Sequence, residues 1–419
     1  MTDVAAPLAD PGTFVAGPPW ELFARLRGEE PVAWTPETLP HSGFWSVTRH
    51  RDIVAVSRDW QTFSSRRGVS LEELDDDQLE HRTSLIDTDP PRHTALRKLV
   101  APMFGPKVVN GYETFLRGIV GRALDDALVL ARRQGTFDLV EHVSSQVPVR
   151  VLCRLLDVDD DVHTRLTSWG DRLVGHTDPE LADVLLGSEE SEKYRLVPFR
   201  SPAALEVFEY GRALAAERRA VPGSDLVTAL ATATVDDEPL SGRDFDNYFL
   251  LLALAGQETT RQAVSLAALT LIEHPHALAR LQDRPDVLAH GPALDEFLRW
   301  GPPVYHMRRT ATRDSEIGGV PVRAGDKIAL WYPSGNRDER AIPDPDVFDL
   351  DRHGVDLVTF GKGGPHFCMG SFLAKLELRV TLQEFVARID TIRLAGTPER
   401  LRSNFVNGVK RLPVAVTLR

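Results

Sequence analysis

The sequence predicts a mainly α protein with a small β-sheet region, organised as a single domain over residues 1–419. Apolar residues recur every three or four positions through "GYETFLRGIVGRALDDALVLARR", "DFDNYFLLLALAGQETTRQAVSLAALTLIEHP" and "MGSFLAKLELRVTLQEFVARI", which is the period of an α-helix. Strand-like pieces are short and lie near the chain ends, and no repeat or linker divides the chain. We therefore expect helices to form the body of the protein and strands its edge.

The strands and one irregular segment can be placed along the chain. Early strands are predicted at "PVAW" and "GFWSVT", and a later one at "IALWY". A last pair, "RLRSNF" and "VKRLPVAVTL", flanks Asn407-Gly408, a dipeptide that favours a two-residue hairpin turn. Between Gly187 and Pro202 the helical pattern lapses into "GSEESEKYRLVPFRSP", a polar stretch typical of a mobile surface connection or lid.

Composition excludes several function classes. Lys and Arg total 49 and Asp and Glu total 61, a net charge of −12, which disfavours nucleic acid as a partner. The longest apolar run, "YFLLLALAG", is well below the roughly 20 residues of a membrane span, and the N-terminus lacks the features of a signal peptide. We expect a soluble, cytoplasmic protein. Its two cysteines, Cys153 and Cys368, cannot form a four-cysteine metal site, and Cys153 fits a buried helix position.

Cys368 lies in "FGKGGPHFCMG", residues 360–370, behind three glycines and ahead of a predicted helix. Unpaired amides at a helix N-terminus lower the pKa of a nearby thiol and so favour the thiolate. Glycines let the backbone approach a flat, bulky group without Cβ clashes. This loop indicates ligation of heme iron. A nucleophilic cysteine with His366 as its base and a structural thiol are the alternatives at this point.

The motif "AGQETT", Ala255 to Thr260, lies in the middle of the longest apolar helix. Gly256 weakens the helix, and threonine hydroxyls bond back to carbonyls one turn earlier, so a kink or a gap is expected. Glu258 can relay protons into such a gap, while the Thr259 hydroxyl stabilises reduced dioxygen so that its distal oxygen leaves as water. The alternative is a plain polar stripe on an amphipathic helix.

The loop "FGKGGPHFCMG" resembles the heme-binding loop of the cytochrome P450 family, the heme-thiolate monooxygenases. Phe360 stands eight residues before Cys368, one more than in most members. That extra residue and the tail "PERLRSNFVNGVKRLPV" are similar to the actinobacterial branch that hydroxylates steroid side chains and branched lipids. The resemblance implies heme b as cofactor, Cys368 as its metal ligand, Phe360 and Gly370 in the cofactor-binding loop, and Glu258 and Thr259 as catalytic residues.

The resemblance also implies which residues bind the heme propionates. His93 and Arg97 in "DPPRHTALRKLV", Arg309 in "YHMRRTATRD" and His366 match the propionate-binding positions of the family. Relatives usually carry a histidine three residues before the loop phenylalanine, where this chain has Leu357. We therefore expect one propionate hydrogen bond to be missing.

Glu296 and Arg299 in "LDEFLRW" are three residues apart on one helix face. Taken alone, such a pair is most often an exposed ion pair of little energetic weight. By resemblance, Glu296, Arg299 and Arg352 form a buried ionic cluster that supports the heme loop. Their implied role is structural.

The implied reaction inserts one oxygen atom from O2 into a C–H bond of a bulky, mostly apolar small molecule, such as a terpenoid, steroid or lipid. By family position the substrate pocket includes Ala255, Val304, Met307 and Phe405, with parts of Val69 to Ile86 and of the lid. Because no flavin or nicotinamide motif is present, we expect a ferredoxin and a ferredoxin reductase to supply electrons to a monomer. The expected docking surface is a basic patch on the cysteine-loop side, formed by Arg97, Lys98, Lys107, Lys362 and Lys375.

Three hypotheses stay open from the sequence. Lys193, Arg195 and Arg200 in the lid are candidates for recognition of an acidic group on the substrate. A heme-thiolate enzyme that uses peroxide directly, or that catalyses an isomerisation, would not need Glu258 and Thr259. A non-catalytic heme protein, such as a sensor or carrier, is the remaining alternative.

Overall fold

The computed structural model describes residues 4–38, 43–289 and 291–419. Within these ranges the chain forms helices α1 (Trp20–Glu29), α2 (His50–Arg58), α3 (Asp76–Arg82), α4 (Arg92–Val100), α5 (Pro106–Asn110), α6 (Glu113–Gln134), α7 (Gln146–Leu156), α8 (His163–Val174), α9 (Pro202–Ala220), α10 (Leu226–Ala231), α11 (Gly242–Glu273), α12 (Pro275–Asp283), α13 (Gly291–Trp300), α14 (Tyr332–Gly335) and α15 (Ser371–Arg388). The mainly α prediction is confirmed, and the three long segments with helical period correspond to α6, α11 and α15.

The strands are short. They are β1 (Val32–Thr35), β2 (Phe44–Val47), β3 (Phe63–Ser64), β4 (Phe137–Asp138), β5 (Thr234–Val235), β6 (Glu238–Pro239), β7 (His306–Ala311), β8 (Ser315–Ile317), β9 (Val320–Val322), β10 (Lys327–Trp331), β11 (Ile389–Leu394), β12 (Glu399–Arg400), β13 (Val409–Arg411) and β14 (Pro413–Leu418). The largest sheet has the order β1-β2-β10-β7-β3, in which only β2 and β10 are parallel. A second sheet has the order β11-β14-β4.

Helix α11 is the centre of the helical core and packs against α7, α8, α9, α13 and α15. Its N-terminus is capped by the Ser241 side chain, which accepts a hydrogen bond from the Asp244 amide and so satisfies one of the free amides of the first turn. Apolar residues occur all around this helix because it is buried on nearly every side. It carries "AGQETT" through the middle of the protein.

The segments on either side of Asn407-Gly408 do pair antiparallel, as β12 and β13, but the predicted two-residue turn is wrong. Strand β12 pairs with β13 through Arg400 and Val409, so a long loop replaces the two-residue turn, and β14 pairs with β11 instead. The Asn407 side chain is buried, where it accepts a hydrogen bond from the Tyr305 hydroxyl at 2.9 Å and donates one to the Pro302 carbonyl at 3.0 Å. These tertiary contacts, rather than a local turn, determine the path of the chain here.

The polar stretch from Gly187 to Pro202 is less free than the sequence indicates. It contains two short 3-10 helices, Glu189–Tyr194 and Pro198–Arg200. Arg195 forms ion pairs with Asp75 at 2.8 Å and Asp77 at 2.9 Å, next to and within α3. The segment is therefore tied to the chain around α3.

Candidate active site

The cysteine loop runs directly into α15, and Cys368 lies three residues before Ser371, the first residue of that helix. Its amide donates to the Phe360 carbonyl at 2.8 Å, which closes the loop on itself. A Cβ atom on Gly364 would lie 1.9 Å from the Ser57 carbonyl oxygen at the end of α2. At least this glycine is thus required by packing against α2, in addition to any need for access to a flat cofactor.

The thiol of Cys368 lies in a buried environment that raises its pKa, and the Gly370 amide and the charge of Arg97 oppose that effect. Arg97 Nη2 donates to the Phe367 carbonyl at 2.7 Å, and its Nη1 to the Pro365 carbonyl at 3.4 Å. Arg97 therefore fixes the loop from α4 while bringing positive charge toward the sulfur. A metal cation bound at that sulfur would favour the thiolate further.

His93 and His366 lie together, with ring centroids 4.4 Å apart. His366 Nε2 is 3.1 Å from the Ser65 hydroxyl, whereas the buried Nδ1 of His93 has no hydrogen-bond partner. Burial lowers the pKa of His93 to about 4 and that of His366 to about 2. Both rings are therefore neutral at pH 7 in the protein alone. The Nδ1 atom of His93 can bond to an anion, whereas His366 is already bonded to Ser65.

Arg309 lies on β7 with 4% of its surface exposed. Among the described residues it forms no ion pair, and its recorded side-chain hydrogen bond goes from Nη1 to the Arg308 carbonyl at 2.7 Å. A buried guanidinium without a bonded carboxylate is costly unless an anion neutralises it. Arg309 and the unpartnered His93 nitrogen thus form a site that fits the propionates of heme.

The "AGQETT" stretch does not interrupt its helix, because α11 is continuous from Gly242 to Glu273, all of which the structure describes. Ala255 and Gly256 are nevertheless exposed in the middle of this buried helix, so open space lies beside them. The Thr259 hydroxyl donates to the Ala255 carbonyl at 2.7 Å, the backbone interaction expected one turn earlier. A pocket thus adjoins the motif without a break in the helix.

Glu258 is buried, with 3% of its surface exposed, and burial raises the pKa of its carboxyl group. Its Oε1 accepts a hydrogen bond from Arg261 at 3.1 Å, and Arg261 also contacts Asp171 of α8 at 2.5 Å. The Asp171 side chain is 29% exposed. A chain of three charged groups therefore connects the buried acid to solvent, which a plain polar stripe on a helix would not require.

The predicted ionic cluster is buried. The side chains of Glu296 and Arg299 are 0% exposed and are joined by two hydrogen bonds of 2.7 Å. Arg352 Nε lies 3.2 Å from Glu296. Arg299 also donates to the carbonyls of Pro345 and Val347, at 2.6 and 3.0 Å. The cluster therefore connects α13 to the chain that leads into the cysteine loop.

A cavity of about 550 Å³ lies on the α11 side of the protein. Its walls come from residues 68–87, the lid segment, α11 and the loop before β13, and they include Val69, Leu71, Leu79, Ile86, Phe199, Leu250, Leu254 and Phe405. Phe405 is the one of the four predicted pocket residues that lines this cavity. Ala255 follows Leu254 on α11. Met307 lies in β7 and Val304 just before it, and both are half-buried; Val304 forms an isolated β-bridge with Val406.

The residues that surround Glu258 were not predicted from the sequence. Asp171 and Gly170 both belong to α8, and a Cβ atom on Gly170 would lie 2.7 Å from Glu258 Oε1. Arg261 follows Glu258 by three residues, a spacing that could have indicated the pair. Nothing local to α8 indicates its contact with α11, because that contact depends on helix packing.

His306, which lines the cavity, gives a prediction for acid stability. Its pKa falls from 6.5 to about 4 on burial. As the pH falls below 6.5, the unfolded chain binds this proton before the folded protein does, so stability is lost between pH 6.5 and 4. Between pH 7.5 and 5 we expect His306 to account for a loss of about 2 kcal/mol in the free energy of unfolding.

Urea unfolding at the two pH values tests this expectation with the His306→Phe variant, which keeps a ring between Trp331 and Phe405. The fall in stability on acidification should be smaller in the variant by about 2 kcal/mol. Equal falls in the two proteins would contradict the prediction.

Comparison with known proteins agrees with this geometry. Residues 37–398 match the family model described as "Cytochrome P450". The chain is 38% identical to linalool 8-monooxygenase of Pseudomonas putida over 98% of both chains. It is 35% identical to the methyl-branched lipid omega-hydroxylase of Mycobacterium tuberculosis, over 94% of this chain and 90% of that protein.

Among solved structures, the cytochrome P450 CYP268A2 of Mycobacterium marinum, in complex with pseudoionone, superposes with a TM-score of 0.86 at 36% identity over 96% of each chain. In the described part of the present chain, no helix has the length and apolar character needed to cross a bilayer. The residues matched by the family model include the cysteine loop, Glu258 and Thr259 of α11, and the buried ionic cluster. The chain therefore belongs to the cytochrome P450 family of heme-thiolate monooxygenases.

Proposed function

We propose that the protein inserts one atom of O2 into a C–H bond of a bulky, mostly apolar small molecule, with electrons from a ferredoxin and its reductase. The observation that carries this proposal is the buried Glu258, linked to solvent through Arg261 and Asp171 and next to Thr259. An enzyme that used peroxide directly, or a heme sensor, would have no need for this proton supply. We further propose that it acts as a cytoplasmic monomer.

The heme supplies the iron that binds and activates dioxygen when it is present. Cys368 would bind that iron through its thiolate sulfur, in a loop closed through Phe360 and followed by Gly370. His93, Arg309 and His366 are proposed to donate to the propionates, and Arg97 to add positive charge while it holds the loop. The unpartnered His93 Nδ1 and the absence of a bonded carboxylate at Arg309 among the described residues support this assignment.

Glu258 and Thr259 are proposed to supply protons at the open side of α11. The raised pKa of Glu258 makes its protonated form accessible nearer to neutral pH. Arg261 orients the carboxylate, and Asp171 holds Arg261 at the partly exposed end of the chain. The guanidinium stays protonated, so Glu258 itself is proposed to carry the proton. The Thr259 hydroxyl, which donates to the Ala255 carbonyl, is proposed to take part in the same proton supply at the open side of α11.

The substrate is proposed to be a terpenoid, steroid or lipid-like molecule. Most of the surface of the cavity near α11 is apolar, although polar and charged side chains also line it, and its volume of about 550 Å³ suits a molecule of that size. The names of the relatives, which act on linalool and on methyl-branched lipids, support the same class.

The ferredoxin is proposed to dock on the surface around Cys368. Phe367 and Phe372 on either side of it are 42% and 53% exposed, and Lys98 and Lys107 are exposed. Lys362 and Lys375 are paired with Asp356 and Asp295. The basic patch is therefore weaker than the sequence indicates, and the exposed phenylalanines provide an apolar centre for the proposed surface.

A comparison of electron sources tests the proposed function. With a ferredoxin, its reductase and O2, we expect product formation from a terpenoid substrate, and with hydrogen peroxide alone little or none. In Thr259→Ala, oxygen consumption should continue while product per O2 falls severalfold. Thr260→Ala is the control, because Thr260 is the neighbouring threonine and the Thr259 hydroxyl bonds to the Ala255 carbonyl rather than to it. The proposal would be contradicted if Thr259→Ala and the wild type formed equal amounts of product per O2. It would also be contradicted if the wild type turned over faster with peroxide than with the ferredoxin system.

A further inference from the structure

The ring of His366 is bonded to a residue that is distant from the cysteine loop in sequence. Its Nε2 lies 3.1 Å from the Oγ atom of Ser65, the residue directly after β3. Ser65 is 1% exposed, and among the described residues its hydroxyl has no other hydrogen-bond partner. A buried O–H group without an acceptor is costly. Ser65 therefore donates its proton to His366 Nε2.

This bond determines which ring nitrogen of His366 carries the proton. A neutral imidazole that accepts a hydrogen bond at Nε2 has its proton on Nδ1. The Thr88 carbonyl also lies near the ring, but a carbonyl has no proton to donate and so does not replace Ser65. The ring is half-buried, and its Nδ1 has no side-chain partner in the described part of the chain. His366 thus presents one N–H donor close to Arg309 and Arg97.

Asp89 fixes the position of Ser65. Its carboxylate is buried, with 5% of the residue exposed, and it accepts hydrogen bonds from the Ser65 amide at 3.0 Å and the Ser64 hydroxyl at 2.5 Å. The Asp89 carbonyl also accepts from the His93 amide at 3.0 Å, at the start of α4. One buried residue is therefore bonded directly to His93 and, through Ser65, to His366. These bonds fix the two histidines of the proposed propionate site relative to each other.

We propose that Ser65 is a positioning residue for the heme site, whose hydroxyl holds His366 in the tautomer that can donate from Nδ1 to a propionate. With the proton on Nε2, the ring would present a lone pair at Nδ1, which repels a carboxylate. A hydrogen bond to one ring nitrogen commonly sets the role of the other nitrogen at cofactor sites. This inference rests on the proposed function, in which heme occupies the site, and it adds Ser65 to the residues that determine how heme is held.

The tautomer of His366 can be measured directly. In the reduced carbon monoxide complex of the heme-loaded protein, nitrogen NMR with isotope-labelled histidine distinguishes protonated from unprotonated ring nitrogens, and His366→Gln identifies the signals. We expect the proton on Nδ1 in the wild type and a loss of that preference in Ser65→Ala. A proton on Nε2 in the wild type would overturn the inference, and that result does not depend on the folding of any Ser65 variant.

Heme release and the reduction potential provide a second test. Ser65→Ala should release heme to excess apomyoglobin about fivefold or more faster than the wild type, because a charge-assisted hydrogen bond is weakened. Its reduction potential should fall, since a less neutralised propionate favours ferric iron. Ser65→Thr keeps the hydroxyl and should restore both values toward those of the wild type.

Ser64→Ala is the matched control. It removes a buried hydroxyl from the same Asp89 carboxylate but leaves the bond between Ser65 and His366. Its heme release should stay within about twofold of the wild-type rate, although its free energy of unfolding should fall about as much as that of Ser65→Ala. Equal release rates and equal potentials in the two variants would overturn the inference, because loss of a buried hydroxyl would then explain both.

The carbon monoxide difference spectrum of the reduced protein separates this inference from the proposed function. Absence of the thiolate-type band in the wild type would contradict the proposed function. A wild-type protein that shows this band, but has the proton of His366 on Nε2, would overturn the role of Ser65 alone.

Discussion

Replacing Cys368 with serine is expected to remove essentially all monooxygenase activity and the thiolate-type band of the reduced carbon monoxide complex. A serine hydroxyl stays protonated at neutral pH and cannot donate electron density to iron as a thiolate does. The loop should still form, because its closing hydrogen bond joins the amide of residue 368 to the Phe360 carbonyl. The measurements are the carbon monoxide difference spectrum and product formation with a ferredoxin system.

The second cysteine provides a matched control for this experiment. Cys153 is buried in α7 with 2% of its surface exposed, and burial raises the pKa of its thiol to about 11. A neutral, apolar thiol of this kind has a packing role only, so Cys153→Ser should keep the spectrum of the wild type. A Cys368→Ser variant that retained the thiolate-type band would remove the basis of the proposed function.

Replacing Arg299 with alanine is expected to lower the free energy of unfolding by about 3–5 kcal/mol, because the buried carboxylate of Glu296 then keeps only one cation, Arg352, besides the hydrogen bond from the Asp349 amide. The carbonyls of Pro345 and Val347 also lose their donor. The loss is large compared with the roughly 5–15 kcal/mol total stability of a protein. Urea unfolding followed by circular dichroism measures it, and heme content should fall in parallel because the cluster supports the chain before the cysteine loop.

The control is an ion pair of the same chemistry on the surface. Arg25 and Glu29 lie 2.9 Å apart with side chains 56% and 67% exposed, and Arg25→Ala should cost less than about 1 kcal/mol. If Arg299→Ala does not yield soluble protein, Glu296→Gln keeps the shape of the side chain and should show a smaller loss. A cost for the buried variants no greater than that of Arg25→Ala would contradict the structural role of the cluster.

Much of the fold follows from local sequence patterns. The helical period placed α6, α11 and α15 to within a few residues, and the strand signals placed β1, β2 and β10. These elements are encoded by residues that are neighbours in the chain. The tight turn predicted at Asn407-Gly408 is replaced by a longer loop between β12 and β13, because the preference of that dipeptide for a tight turn is weaker than the buried hydrogen bonds that Asn407 makes to Tyr305 and Pro302.

For the candidate site, too, some features were predictable from local sequence and others depended on tertiary contacts. The cysteine loop and the "AGQETT" motif were recognisable because their chemistry requires particular residues at fixed spacing. The charge of the lid was misleading, because Arg195 and Arg200 look free in the sequence but are bonded to Asp75, Asp77 and Glu72 in the fold. Whether a charged side chain is available to a ligand depends on the partners that folding brings to it.

The sequence by itself determined the family, the identity of the proposed iron ligand and the position of the acid and alcohol on α11, since each is written in a short contiguous motif. Only the tertiary structure decided that Arg261 and Asp171 connect Glu258 to the surface and that the lid arginines are neutralised. Those properties arise from contacts between segments 80 or more residues apart in most cases, and helix packing and burial, which set such contacts, leave no local signal in the chain.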